Sequence, residues 1–281
     1  MTADPFVDLA VAAALEAGAL LRERFGQPHD VRFKGTVDLV TEADKGAEVL
    51  IAGRIRAAFP DHRLIGEEGA RGATDAAGAA DVSPYRWLID PLDGTTNYAH
   101  GFPHFAVSIA LEHEEAPLVG VVYDPIRDEI FAAARGKGAT RNGQPLRVST
   151  TAEPVRSLLA TGFSYNLAQR ETQAIIWRAL LTQVQAIRQT GSAALNLCYI
   201  AAGRLDGYWE SPLQPWDVAA GALIVTEAGG QVSDFAGGPF NPFGAEVVAS
   251  NSLLHPTLLA TIASAAESGK RNDGGTTPPT V

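Results

Sequence analysis

The chain of 281 residues contains one cysteine, Cys198, and this scarcity excludes an internal disulfide. Cys198 lies in the apolar stretch ALNLCYIAA, so we expect a buried core thiol in a reducing cytoplasm. The six histidines form no ligand pattern either. His100 and His104 are four residues apart, but Gly101 and Pro103 between them disfavour a shared helical face.

Basic residues are also in the minority, with a formal net charge of −10 and a pI near 5.1. Sequence-independent binding to nucleic acid needs a basic face, so we predict no direct nucleic-acid partner. Apolar runs are too short to span a bilayer, and the acidic start MTADPFVD lacks the basic region of a signal peptide. We therefore expect no membrane partner and a cytoplasmic location.

Hydrophobic residues, by contrast, make up 46% of the chain, which is typical of a globular protein with a sizeable core. The sequence pattern of residues 1–154 predicts an α+β half. In it, two helices precede an antiparallel meander that carries most of the candidate metal ligands. Residues 155–266 alternate helices with strands and predict an α/β half with some parallel pairing. Residues 267–281 have the composition of a disordered tail.

Carboxylates stand where apolar elements begin or end. In WLIDPLDGTTNYAHGF, residues 87–102, Asp90 and Asp93 lie between an apolar strand and a possible helix start. Others are Glu67 and Glu68 after RLIG, and Asp217 in PWDVAAG. Carboxylates are costly to bury beside apolar strands unless a cation neutralises them. Oxygen ligands without His or Cys nearby favour Mg²⁺, Mn²⁺ or Ca²⁺ over zinc.

The turn around Pro91 suggests how a metal and a phosphate could be bound together. We expect the Pro91 kink to bring Asp90 and Asp93 to one point and to free the Leu92 carbonyl. A helix starting at Gly94 would present unpaired amides to an anion. Bound cations would invert the local negative field and admit a phosphate. No P-loop and no dinucleotide-binding glycine motif is present in the sequence, so a nucleotide-powered or dinucleotide enzyme is unsupported.

Four motifs together resemble those of the inositol monophosphatase family, in family order and over roughly residues 5–265. They are DLVTEAD, LIGEEG, WLIDPLDGTTNYAHGFPHFAVSIAL and PWDVAAGALIVTEAGG. The resemblance implies an α/β/α/β/α sandwich of the inositol monophosphatase / fructose-1,6-bisphosphatase type, commonly a homodimer. It also implies a lithium-sensitive phosphatase with two or three Mg²⁺ ions in each active site.

The resemblance further implies a role for each matching residue. One metal, which activates water, would be held by Glu67, Asp90 and the Leu92 carbonyl. A second metal near the leaving oxygen would be held by Asp90, Asp93 and Asp217. Thr95, supported by Asp44, would orient the attacking water, so the catalytic set is Glu67, Thr95 and Asp44. Substrate contacts would come from Asp93, Gly94, Thr95, Gly191, Ser192, Ala193, Glu210 and Asp217.

Plainer interpretations stand beside these roles. Asp44 could be a helix cap, since its spacing from Thr41 approximates a capping box, and Thr95 alone could be an N-cap. Ser192, which replaces the family's Thr, is also a candidate N-cap, and Glu210 could be a surface residue at a strand end. Glu68 is expected to be a solvated neighbour.

One departure from the family concerns the segment from Gly69 to Tyr85, which is slightly longer than in well-known relatives and bears on metal access or on a further weak metal site. The sequence predicts a Mg²⁺-dependent phosphomonoesterase for a small phosphorylated polyol, with inositol monophosphate first. The alternatives are histidinol phosphate, fructose 1,6-bisphosphate and 3′-phosphoadenosine 5′-phosphate as substrates, or a transcription-associated binding role.

Overall fold

The computed structural model describes residues 4–27, 32–33, 39–40, 42–70 and 83–273. Helix α1 spans Pro5–Arg24 and begins where the Asp4 carboxylate accepts hydrogen bonds from the first free amides. Helix α2 spans Glu42–Ala58 and packs against α1. Two short antiparallel strands come between them, β1 (Arg32–Phe33) and β2 (Leu39–Val40). Thr41 lies outside the described residues, so the capping box is untested.

A seven-stranded sheet follows, with its strands in sequence order from β3 to β9. The strands are β3 (Arg63–Gly66), β4 (Tyr85–Asp93), β5 (Ala106–His113), β6 (Ala116–Asp124), β7 (Glu129–Ala134), β8 (Ala139–Arg141) and β9 (Gln144–Pro145). Only the β3–β4 pair is parallel, so the predicted antiparallel meander is confirmed from β4 onward. Asn142 and Gly143 both have positive φ between β8 and β9, the conformation that an Asn-Gly pair adopts in a tight hairpin.

The second sheet has five strands in the order β11-β10-β12-β14-β13. They are β10 (Leu158–Thr161), β11 (Ala186–Arg188), β12 (Gly207–Glu210), β13 (Gln231–Ser233) and β14 (Val247–Ser250). β10 pairs in parallel with β11 and β12, whereas β14 is antiparallel to both of its neighbours. The expected partial parallel pairing is confirmed, and the edge strand β13 is an element that the sequence pattern did not predict.

Five layers result from the way the helices cover these sheets. The remaining helices are α3 (Thr95–Ala99), α4 (Leu167–Leu181), α5 (Ala193–Ala201), α6 (Pro215–Glu227) and α7 (His255–Asp273). α1 and α2 share a core with one face of the first sheet. α5 and α6 fill the core between the two sheets, and α4 and α7 cover the outer face of the second sheet. The predicted α/β/α/β/α sandwich is confirmed.

Three smaller expectations have clear outcomes. Cys198 is a fully buried core residue of α5, as predicted. Residues 267–273 continue α7, so the predicted tail begins inside a helix, where a single glycine, Gly269, does not end it. Residues 274–281 lie outside the described part of the chain. Within the described residues, the helices are all too short or too polar to cross a membrane.

Candidate active site

The predicted site residues meet in a pocket of about 480 Å³ where the two sheets face each other. Its lining includes Glu67, Asp90, Leu92, Asp93, Gly94, Thr95, Gly191, Ser192, Ala193, Glu210 and Asp217. Asp44 does not line the pocket but reaches it through Thr95, and Glu68 does not line it either. A larger groove of about 620 Å³ between α4 and α7 has no carboxylate in its lining, so the smaller pocket is the candidate site.

The end of β4 places two carboxylates in the pocket. Its pairing with β5 shifts register between Asp90 and Asp93, so the strand bulges at Pro91. Asp90 Oδ1 accepts a hydrogen bond from the Leu92 amide at 2.9 Å, which fixes the turn. The expectation that the Leu92 carbonyl is free was wrong, because it accepts a hydrogen bond from Thr95 Oγ1 at 3.0 Å. A carbonyl oxygen has two lone pairs, so one acceptor position remains.

Gly94 makes the sharp step from β4 into α3. Its φ of 96° lies in the left-handed region, which side chains rarely adopt. A Cβ at this position would also lie 3.1 Å from the carbonyl oxygens of Gly191 and His104. The predicted helix start at Gly94 is confirmed, because this residue precedes the first residue of α3. The backbone can therefore approach a ligand closely at this point.

The start of α5 holds Asp93 in place. Ser192 Oγ donates a short hydrogen bond to Asp93 Oδ2, and the amides of Ala193 and Ala194 donate to the same carboxylate at 3.2 and 2.9 Å. Ser192 Oγ also accepts from the Leu195 amide at 3.2 Å, so the N-cap interpretation is confirmed. The turn predicted to contact substrate thus also orients a predicted metal ligand.

Thr95 and Asp44 form a buried pair. Thr95 Oγ1 lies 3.1 Å from Asp44 Oδ1, and Asp44 is fully buried within the first turn of α2. The hydroxyl has one proton, which it can share between Asp44 and the Leu92 carbonyl while its lone pairs stay available. Thr95 alone as an N-cap is not what the structure has, because Gly94 occupies that position.

The carboxylates of the pocket are buried and repel one another, which favours a bound cation. Burial, followed by repulsion from Glu67, Asp93 and Asp217, raises the pKa of Asp90 well above its ordinary value. Burial raises the pKa of Asp93 to about 6, against the opposing hydrogen bond from Ser192. Burial also raises the pKa of Asp217 well above its ordinary value, with further repulsion from Asp93 and Glu67. Deprotonating this cluster without a cation is costly.

The donor chemistry fits hard divalent cations. Carboxylate and carbonyl oxygens are the ligands that Mg²⁺ prefers, and Arg170 is the one basic residue in the described lining. In the part of the chain that the structure describes, no group of three or more His, Cys, Asp or Glu side chains is arranged closely enough to hold a metal ion as it stands. Hydrogen-bond donors of the protein contact the carboxylates of the pocket. The Asp217 carboxylate, for example, accepts a hydrogen bond from the Gln214 amide at 2.8 Å.

Glu210 ends β12 inside the pocket. Its Oε2 accepts a hydrogen bond from the Tyr208 hydroxyl at 2.5 Å. Burial raises the pKa of Glu210 to about 7, and that hydrogen bond lowers it in part. The interpretation of Glu210 as a surface residue is wrong, since its carboxylate lines the pocket. A carboxylate here can accept hydrogen bonds from hydroxyl groups.

Sequence reasoning missed part of the pocket wall. Tyr165, Arg170 and Gln189 also line the pocket. The Tyr165 hydroxyl lies 3.1 Å from Thr96 Oγ1, and Arg170 Nε donates to the Ser164 carbonyl at 2.8 Å. These residues lie outside the four motifs, so the motif spacing gave no signal for them. Residues 71–82, which the expectation about metal access concerns, lie outside the described part of the chain.

A five-layer sandwich with a carboxylate cluster beside the Gly94 turn is the arrangement expected of a phosphoric monoester hydrolase of this fold. Comparison with known proteins agrees: the Inositol monophosphatase family profile matches residues 2–270. The chain therefore belongs to the inositol monophosphatase family, as its motifs predicted.

Individual relatives match nearly the whole chain. Inositol monophosphatase 2 of Solanum lycopersicum is 46% identical over 259 residues, which cover 91% of this chain and 97% of the relative. Nus factor SuhB of Escherichia coli K12 is 46% identical over 260 residues, covering 91% and 95%. The solved extragenic suppressor protein suhB of Bartonella henselae superposes with a TM-score of 0.86 at 40% identity, covering 92% of this chain and 98% of that one.

Proposed function

We propose that the chain is a Mg²⁺-dependent phosphomonoesterase acting on a small phosphorylated polyol, with inositol monophosphate as the first candidate. The observation that carries this proposal is the cluster of Glu67, Asp90, Asp93 and Asp217 in one pocket with the Gly94 turn. Carboxylates that repel one another in a confined pocket are suited to cations, and the turn is suited to an anion. A phosphomonoester supplies that anion.

The oxygens of the cluster, with the Leu92 carbonyl, would hold the ions. Bound Mg²⁺ would act as a Lewis acid on water and on the leaving oxygen. The chain's own groups would do the rest. The amides of Gly94 and Thr95 would bind the phosphate, since they open α3. The Thr95 hydroxyl would accept a proton from the attacking water while passing its own proton toward Asp44, 3.1 Å away.

Substrate selection would belong to the opposite wall. The Glu210 carboxylate would accept hydrogen bonds from substrate hydroxyls, and the Gly191–Ala193 turn would support the same ligand. A polyol matches this wall because it presents several donors near the phosphate. Inositol monophosphate is favoured over the other candidates, because it combines one phosphate with many hydroxyls.

A phosphate-release assay tests the proposal. Purified protein is offered inositol monophosphate, histidinol phosphate, fructose 1,6-bisphosphate and 3′-phosphoadenosine 5′-phosphate, with Mg²⁺ and with excess chelator. We expect inositol monophosphate to be hydrolysed fastest and chelator to abolish the reaction. Full activity in chelator would contradict the metal-dependent mechanism, and a faster rate on another substrate would replace inositol monophosphate.

A second candidate is a binding role in transcription, and one observation favours it: a relative at 46% identity is named Nus factor SuhB. An Asp93→Asn variant separates the two functions, since it would impair the metal site but leave the outer surface intact. If wild-type protein captures transcription machinery in a pull-down, the variant should do so equally. Loss of capture in the variant would tie binding to the metal site. The homodimer and the cytoplasmic location stay predictions.

A further inference from the structure

We propose that Glu48 is a positioning residue whose carboxylate holds the turn that carries Glu67, and so sets the metal affinity of the site. This inference rests on the proposed metal-dependent function. Glu48 lies in α2, is 4% exposed and does not line the pocket. Its effect on a metal would therefore be indirect, through the backbone of residues 66–70.

Both oxygens of Glu48 are engaged by this turn. Oε2 accepts a hydrogen bond from the Glu68 amide at 2.8 Å, and Oε1 accepts one from the Ala70 amide at 2.7 Å. The two amides lie just after Glu67, so the carboxylate ties down the backbone on that side. On the other side, the Glu67 amide donates to the Ile89 carbonyl at 3.2 Å. Glu67 is thus fixed between β4 and the Glu48 carboxylate.

Gly66 shows how closely the Glu48 carboxylate approaches this turn. A Cβ on Gly66 would lie 2.2 Å from Glu48 Oε2 and 2.7 Å from its Cδ. The absence of a side chain at Gly66 is therefore what lets the carboxylate approach the turn. Gly66 at the end of β3 therefore leaves the space that the buried Glu48 carboxylate of α2 occupies.

Helix α2 also carries Asp44, which contacts Thr95 on the other side of the site. Asp44 and Glu48 are four residues apart, so they share one face of α2. Asp44 accepts a hydrogen bond from Thr95, and Glu48 accepts from the turn beside Glu67. The neighbouring buried positions of α2, Ala47 and Ile51, are apolar. A buried carboxylate in such surroundings is stabilised by charge-assisted hydrogen bonds, here from two amides.

The first test variant is Glu48→Gln, which keeps the size of the side chain. Its amide oxygen can accept one backbone amide, but its NH₂ group would face the other donor. Residues that orient metal ligands typically change metal affinity by about 10–100-fold when mutated. We expect a loss in this range for Mn²⁺, measured directly by electron paramagnetic resonance of free Mn²⁺ during titration. The kcat at saturating Mg²⁺ should fall much less than the Mg²⁺ affinity.

The second variant, Gly66→Ala, keeps the Glu48 charge but displaces the carboxylate from the amides. A matched control is Glu42→Gln, the same change at an exposed position of the same helix. Weakened Mn²⁺ binding in both Glu48→Gln and Gly66→Ala, with normal binding in the control, supports positioning. Weakened binding in Glu48→Gln alone would show a long-range charge effect and overturn the proposal.

The experiment also separates this inference from the proposed function. If wild-type protein binds no Mn²⁺ and needs no Mg²⁺, the metal-dependent function itself fails. If wild type binds Mn²⁺ and both variants bind it equally well, only the role of Glu48 fails. Thermal melting without metal checks that each variant is folded, and Gly66→Ala decides the question if Glu48→Gln is not.

Discussion

The two sides of the pocket are built differently. On the side of β4 and α3, Asp90, Asp93 and Thr95 are at most 9% exposed and are held by backbone and side-chain hydrogen bonds. On the opposite side, Tyr165 is 49% exposed and Arg170 is half-buried. Rigid, buried groups suit chemistry that every substrate shares, whereas exposed groups suit contacts that differ between substrates. Mutations on the first side should affect all substrates, and those on the second should affect only some.

The largest effect should come from Asp90→Asn, which removes a charge from the centre of the carboxylate cluster. We expect turnover to fall by orders of magnitude on every phosphomonoester, because the variant would lose a ligand shared by both proposed metals. Asp217→Asn should do the same, although Asp217 comes from α6 in the second half. The measurement is kcat at saturating Mg²⁺. Asp8→Asn, at an exposed position of α1, is the control.

If Asp217→Asn lowered kcat for only some substrates, then the effects of mutations would differ between the two halves of the chain and not between the two sides of the pocket. That outcome would remove Asp217 from the proposed metal site. Equal losses of kcat in Asp90→Asn and Asp217→Asn on every substrate would support the division between the two sides of the pocket.

The next largest effect concerns Thr95→Ala and Asp44→Asn. General-base assistance is typically worth about 10²–10⁴ in rate, so each variant should lose turnover in that range with little change in Mg²⁺ affinity. The two groups lie 3.1 Å apart and would act as one unit. The double variant should therefore lose far less than the product of the single losses. Strictly multiplicative losses in kcat would show separate roles and return Asp44 to a helix cap.

Some parts of the site can be predicted from the sequence better than others. Asp90, Asp93 and Gly94 share one short stretch, and their chemistry could be read from local spacing. The contacts that orient them could not, because the chain brings them from far away. Asp93 meets Ser192 and Ala194 across about a hundred residues, as their numbers show. No local pattern encodes such a meeting, and only the family resemblance suggested it.

The same limit explains the smaller errors. Local strand and helix patterns predicted most elements, yet β13 is a three-residue edge strand with too little periodicity to stand out. The Leu92 carbonyl was expected to be free because Pro91 disrupts the ladder, but the nearby Thr95 hydroxyl binds it. Glu48 carried a usable signal, a carboxylate on the buried face of α2 one turn after Asp44. The layer order itself rested on the resemblance and not on periodicity.

On the second side, Glu210→Ala should change selection more than chemistry. A hydrogen bond to a charged acceptor contributes about 1.5–3 kcal/mol, so kcat/KM for a polyol phosphate should fall about 10–100-fold. An aryl phosphate without hydroxyl groups should lose much less. The measurement is kcat/KM for both substrates at saturating Mg²⁺. Equal losses on both would place Glu210 with the chemistry and break the comparison.

The smallest effect concerns His104, where the two halves of the chain touch. The ring is buried, lies 3.5 Å from an Arg127 guanidinium nitrogen and packs 6.0 Å from the Tyr199 ring of α5. Burial, reinforced by the charge of Arg127, lowers the pKa of His104 from 6.5 to about 4. Between these values the unfolded chain binds the proton and the folded one does not. The contribution of His104 to the free energy of unfolding should therefore fall as the pH drops from 6.5 toward 4, whereas the raised pKa values of Asp93 and Glu210 act in the opposite direction.

The slope from one proton is at most about 1.4 kcal/mol per pH unit, a tenfold change in the unfolding equilibrium. Urea unfolding at several pH values measures it. His104→Asn should lower the slope of the unfolding free energy against pH in this window by up to that amount, whatever its effect on stability at pH 7.5. His100→Asn, the same change at an exposed histidine four residues earlier, is the matched control. Parallel slopes in wild type and His104→Asn would mean that His104 takes up its proton without cost. The contact between the halves would then be no more acid-sensitive than the rest of the fold.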